Sequence, residues 1–423
     1  MNLKSPTRLY IHGVTSTSVI LWLLAAAMVI TRFWIPATSL IPVPHAQALQ
    51  ISVLGITLVW MITISPSIRM SRLLAIYLVV AGASIVANHQ ADATDNLLRL
   101  GAFVGVLFLI SPLTVSVELT NLRAKMWRLT WWALRLLVII NYAEYFKNRM
   151  VGYISNWGAD GFCFSSVWLG ILSTLVVLNS FWHLTNNRRL SLARALYHGV
   201  LFALAFMLVV ASGSRSALIA LVLGMFPLIW SMRHNHFRML LLAVGATAMV
   251  GVAFIPQESE GRILKKKTGL WAYYNHPIGS REVIWQVRLS ELKSSPFIGV
   301  GFCQSPGVAI NFSDPKGISE YKNYTTEPGS SWLNIGSTTG LIGLLIMLSF
   351  NVRLFFHLWR NRNADRQEFA ILLALLLAMW VHACFEGWML YAGNPKFFFF
   401  WLLTAIAYQL KLNPEQADPY KVR

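Results

Sequence analysis

Long apolar runs separated by short polar connections recur from Gly13 almost to the end of the chain. Read with a window of about 19 residues, they predict twelve membrane-spanning helices. These lie near 14–31, 47–64, 73–88, 98–117, 127–143, 161–182, 198–213, 216–232, 238–255, 333–357, 368–386 and 394–410, the third, fifth and eleventh being short. The fold class that follows is all-α: a polytopic membrane protein with about twelve transmembrane helices and a long, partly helical outer loop. The chain divides into spans one to nine (1–255), the loop (256–332), spans ten to twelve (333–410) and a tail (411–423). The first run, "STSVILWLLAAAMVI", follows Lys4 and Arg8 like a signal peptide, but the pattern continues as the first of many spans. No repeat of solenoid length is visible.

Composition agrees. The chain is 56% hydrophobic and 12% charged, with a mean hydropathy of +0.55; a soluble protein carries about twice that charged fraction. The formal charge of +18 would suit a nucleic-acid partner in a soluble protein. In a polytopic one it reflects basic cytoplasmic loops, so no nucleic acid is expected. An even number of spans puts both termini on one side. That side then holds "SPSIRMSR", "NLRAKMWR", "HLTNNRRLSLARALYH", "SMRHNHFR" and "WRNRNADRQ", whereas "IPVPHAQ" and "NHQADATDN" carry no Lys or Arg. The positive-inside rule therefore predicts N-in and C-in in a cytoplasmic membrane, with the 256–332 loop facing the periplasm of a bacterium. At roughly 75 residues that loop is long enough to be functional and to escape the charge rule. Three cysteines exclude a disulfide framework and show no metal spacing.

"ASGSRSALIALVLG" joins spans seven and eight almost without a loop. It sets Ser214 and Arg215 at the outer membrane surface, where a charge is costly and points to function; the plainer alternative is snorkelling to headgroups. "GSREVIWQVRLSELKSSPFIGVGF" reads as a helix capped by Ser280, with Glu282 in its first turn and a Pro–Gly–Gly break after it. Arg281 and Arg288 are two turns apart on one face, a spacing suited to bidentate binding of a diphosphate, or to an amphipathic helix lying on anionic lipid. His276 precedes that helix and has no metal-ligand spacing. In "TEPGSSWLNIGSTTGLIGLL", Glu327, Ser330 and Trp332 stand at the mouth of span ten. No nucleotide-binding loop or paired aspartates occur, so an enzyme here is expected to need neither nucleotide, metal nor other cofactor.

The three stretches, in this order and spacing over residues 211–345, resemble the bacterial O-antigen ligase and polysaccharide polymerase superfamily. The resemblance implies an inner-membrane glycosyltransferase that moves a glycan from undecaprenyl diphosphate to an acceptor. The acceptor is another lipid-linked repeat in polymerases, which work with a chain-length regulator, and lipid A–core in ligases. It further implies that Arg215 and an arginine of the 281–288 pair neutralise the diphosphate. Arg215, Arg288 and Glu327 are thus the candidate catalytic residues, and Arg281, Ser214, His276, Ser330 and Trp332 the candidate substrate-binding ones. Ligases typically carry a His–Asn pair ahead of the "GL-x-G" turn, where this chain has Gly329 and Ser330. Glu327 is the nearest proton acceptor, and the departure favours polymerase over ligase. Beside several arginines a carboxylate becomes a poor base unless partly buried; the alternative is a plain ion pair with Arg281 or Lys322. A transporter of the same lipid-linked glycan would instead show charges within several spans and paired broken helices, and a membrane scaffold would not need Arg215 at its depth.

Overall fold

The computed structural model describes residues 16–37, 46–65, 68–88, 93–150, 163, 166–186, 191–232, 279–302, 308–310, 318–320, 329–362 and 366–409. Helix α1 (Ser16–Val29) runs on through a π-helical turn (Ile30–Trp34) and a last turn (Ile35–Ala37). It is followed by α2 (Ala46–Ile64), α3 (Arg72–Ala87), α4 (Ala93–Ile110), α5 (Val117–Met150) and α6 (Ser166–Asn186). Then come α7 (Leu192–Ala211), α8 (Arg215–Ser231), α9 (Gly279–Ser294), α10 (Ser331–Arg360), α11 (Arg366–Phe385) and α12 (Pro395–Tyr408). Every predicted span falls on one of these helices except the ninth, 238–255, which lies outside the described residues. Among the described residues, six helices are long and apolar enough to cross a membrane: α1, α2, α6, α7, α10 and α11. Four shorter apolar helices, α3, α4, α8 and α12, accompany them. The protein is an all-α polytopic membrane protein.

Two boundaries differ instructively from the sequence reading. The fifth span was expected at 127–143, but α5 covers 34 residues. Its flanks carry Arg123, Lys125 and Lys147, which lower hydropathy without breaking a helix. Arg123 is buried and donates from Nε to Leu109 O and from Nη1 to Thr114 O, each at 2.8 Å. It thereby satisfies a carbonyl at the C-terminal end of α4, where helices favour a cation. The tenth span is not one helix: Gly340 has φ 68° and ψ −175°, so α10 is a short helix ending at Thr339 and a longer one starting at Leu341.

Short strands fix which ends lie together. β1 (Arg69–Met70) pairs antiparallel with β2 (Thr114–Val115), tying the α2–α3 connection to the α4–α5 connection. Trp182 Nε1 donates to Gln367 O at 3.0 Å, and Arg366 Nη2 to Trp230 O at 3.3 Å, gathering the ends of α6 and α8 around the start of α11. The described ends of the connections rich in Lys and Arg thus collect at one end of the bundle. β3 (Val308–Ile310) and β4 (Ile318–Glu320) form a separate antiparallel pair within the 256–332 stretch.

The core is aromatic and centred on α12. Phe397, Phe398, Phe399, Phe400 and Trp401 are all fully buried, and a helix apolar on every side belongs in the middle of a bundle. Phe103 packs between Phe302 and Phe397 at 5.3 and 5.5 Å, which seats the turn after α9 on this core.

A candidate donor site at the end opposite the basic segments

Small residues build the turn that carries Arg215. Gly213, at φ 62°, reverses the chain between α7 and α8. Ser214 then caps α8, its Oγ accepting from Ala217 N at 3.4 Å, with Arg215 as the first helical residue. The turn lies against Gly170 of α6, where a Cβ would come within 2.9 Å of Ser214 Cβ and Ala217 Cβ. Arg215 is half-buried. Gly224 meets Ala374 and Ala378, and Arg366 reaches Trp230, so α8 and α11 run antiparallel. The first turn of α8 therefore stands level with the last turn of α11.

That last turn also anchors the start of α10. Ser331 Oγ donates to Glu386 O at 2.7 Å and accepts from Trp388 N and Met389 N at 3.0 and 3.2 Å. Ser330, buried, caps the helix by accepting from Leu333 N at 3.4 Å. Trp332 is half-buried and packs on the core. A run of small polar side chains, Asn334, Ser337, Thr338 and Thr339, is buried along this short helix. The hydroxyls return to their own helix, as Thr338 does to Asn334 O at 2.6 Å and Thr339 to Ile335 O at 2.7 Å.

Helix α9 lies alongside. Trp285 reaches Phe385 of α11 with ring centroids 6.4 Å apart, and its Nε1 donates to Gly329 O at 3.5 Å. Two turns on, Leu292 lies beside Gly336. The turn after α9 then closes on the break in α10. Val300 N donates to Ser337 O at 2.8 Å, Gly301 N to Thr338 O at 3.3 Å, and Leu341 N to Pro296 O at 2.7 Å. Ser84 Oγ adds a bond to Thr338 O, and Asn88 Nδ2 donates to Gly299 O. Backbone groups that the break leaves without helical partners are satisfied from α3 and from this turn. Contact this close requires glycine on both sides: a Cβ on Gly340 would overlap Phe297 O, and one on Gly299 would overlap the Thr338 carbonyl carbon.

The inner face of α9 carries Ile284, Arg288 and Glu291, all buried. Arg288 is 1% exposed and donates from Nη1 to Glu291 Oε2 at 2.8 Å, while Arg288 Nε and Glu291 Oε1 have no hydrogen-bond partner. The sequence reading put Arg288 on a functional face but passed over Glu291. Its spacing of three residues from Arg288 was the available signal. Arg281 lies within α9, although its side chain is outside the described residues, as are Glu327 and His276. Ser214, Arg215, Ser330 and Trp332 thus stand at helix starts grouped around the last turn of α11, and Arg288 lies on the buried face of the neighbouring α9.

Gly329 immediately precedes the Ser330 cap of α10. It has φ 67°, and a Cβ there would lie 2.6 Å from Ile284 Cγ2. A side chain at this position is strained by the backbone and must displace Ile284. No curated protein matches the chain. Residues 200–348, which run from α7 through α9 and the break in α10, match the family model described as O-antigen ligase. Over that segment, which holds Ser214, Arg215, Arg288, Ser330 and Trp332, the chain is similar to the O-antigen ligase family.

Proposed function

We propose that this protein is a membrane glycosyltransferase of the ligase and polymerase type, taking its glycan from undecaprenyl diphosphate on the periplasmic side. The observation that carries the reading is the grouping of the start of α8, α9 and the short helix of α10, all family-matched, around the last turn of α11. The donor diphosphate binds Arg215 and an arginine of the 281–288 pair on α9. An acceptor hydroxyl oxygen attacks the anomeric carbon, and the bond from that carbon to the diphosphate oxygen breaks. The lipid diphosphate leaves with the bonding pair, and the hydroxyl proton passes to Glu327. Fixed guanidiniums in a water-poor site stabilise the charge that develops on the leaving group, and they accelerate the step only where they hold the cleaving geometry better than the ground state.

Polymerisation of repeat units is favoured over transfer to lipid A–core, because the chain has Gly329 and Ser330 where ligases typically carry the His–Asn pair. The decisive experiment is single-turnover transfer by the purified full-length protein, given lipid-linked donor and no nucleotide. Arg215→Ala is expected to lower transfer by about 10²–10³-fold. Glu327→Gln is expected to lower it by about 10²–10⁴-fold with donor binding intact. Movement of the donor across a bilayer without any transfer would replace this reading with a transporter.

A further inference from the structure

A cleft of about 440 Å³ opens at the other end of the bundle, between the start of α5, the end of α6, the start of α11 and the end of α12. Four tryptophans, Trp127, Trp131, Trp132 and Trp182, line it together with Arg128 and Arg135. Glu368 is the carboxylate at the same cleft, so the two arginines leave it net positive. Arg135 is held in place: its guanidinium lies 5.6 Å from the Trp132 ring centroid and 6.0 Å from that of Tyr197, and Nη2 donates to Asn179 Oδ1 at 3.4 Å. His183 lines the wall and stacks on His198, with ring centroids 4.2 Å apart and planes 21° apart. His198 is buried, and its Nδ1 has no hydrogen-bond partner.

The surroundings define the ligand. Tryptophans gather where helices cross the headgroup layer, and basic pockets between membrane helices take anionic headgroups. From the cleft an apolar stripe runs up the outside of α5: Trp132, Leu136 and Ile139 are 62%, 48% and 45% exposed. Their spacing puts them on one face of the helix, where an acyl chain can lie while the phosphate sits by the arginines. We propose that this cleft binds the phosphate headgroup of an anionic phospholipid from the leaflet at the basic end of the bundle. The site is separate from the donor site and does not depend on the reaction proposed above. It requires only that this end lies at a membrane surface.

The test is native mass spectrometry of the full-length protein released from nanodiscs holding chain-matched phosphatidylglycerol and phosphatidylcholine. The wild type is expected to retain phosphatidylglycerol preferentially. Losing one arginine should weaken retention about 5-fold, and Arg128→Gln with Arg135→Gln about 30-fold. Arg194→Gln removes an exposed charge on α7 that does not line the cleft, and it should leave the preference unchanged. If the double variant does not fold, the single Arg128→Gln variant carries the test, since Arg128 is exposed. Equal retention of phosphatidylglycerol by the wild type and the folded cleft variants would overturn the proposal. Loss of the preference in millimolar inorganic phosphate would overturn it too, by identifying a free-phosphate site.

Discussion

Arg288 and Glu291 satisfy one another through a single bond, while a second polar atom on each stays buried and unpaired. A pair this deep pays for desolvation of both charges, and removing one partner strands the other at about 3–5 kcal/mol. Arg288→Met and Glu291→Leu should each destabilise the protein by about that amount, and the two together should restore most of the loss. Unfolding in detergent, followed alongside transfer, checks this. A stable Arg288→Met protein that has lost transfer would mean instead that the guanidinium touches the donor. The two-turn spacing of Arg281 and Arg288 was legible in the sequence, because helical periodicity needs no tertiary information. The burial of Arg288 was not, since it depends on α9 packing against helices distant in sequence, α10 among them. Glu327 and His276 lie outside the described residues, so the proton acceptor rests on the sequence and on the closed space around Gly329.

At the scale of elements, the broken α10 and the turn 295–302 form one unit. Their carbonyls and amides complete each other's hydrogen bonds, and Gly299 and Gly340 give the backbones room to meet. Gly340→Ala or Gly299→Ala combines a left-handed backbone, costing about 1–2 kcal/mol, with overpacking at about 1–3 kcal/mol. Each variant should therefore lose about 2–5 kcal/mol and undock α9. Cysteine cross-linking between positions 292 and 336 reports the docking directly. Efficient cross-linking in the alanine variants would show that the turn does not hold α9 in place. The Pro–Gly–Gly stop after α9 could be read from "SPFIGVGF", but the break in α10 was hidden within a continuous apolar run. Its stability comes from α3 and from residues some forty positions earlier, which hydropathy cannot see.

At the scale of the molecule, two opposed chemistries occupy the two ends of one bundle. Arg215, α9 and the short helix of α10 stand at one, and the basic connections with their tryptophan-lined cleft at the other. Reporter fusions at 113 and 189 should fall on the cytoplasmic side and a fusion at 290 on the periplasmic side; a cytoplasmic signal at 290 would invert the orientation and remove the proposed donor site from the periplasm. The sequence by itself determined that the chain is a helical membrane protein, roughly where most of the described helices lie, and which connections are basic. Those properties follow from transfer of side chains out of water and from backbone hydrogen bonding within each helix. Only the tertiary structure decided that α12 runs through the aromatic core, that Arg288 closes on Glu291, and that Ile284 fills the space beside Gly329. Each of these depends on which helices become neighbours, and packing between elements distant in sequence sets that choice.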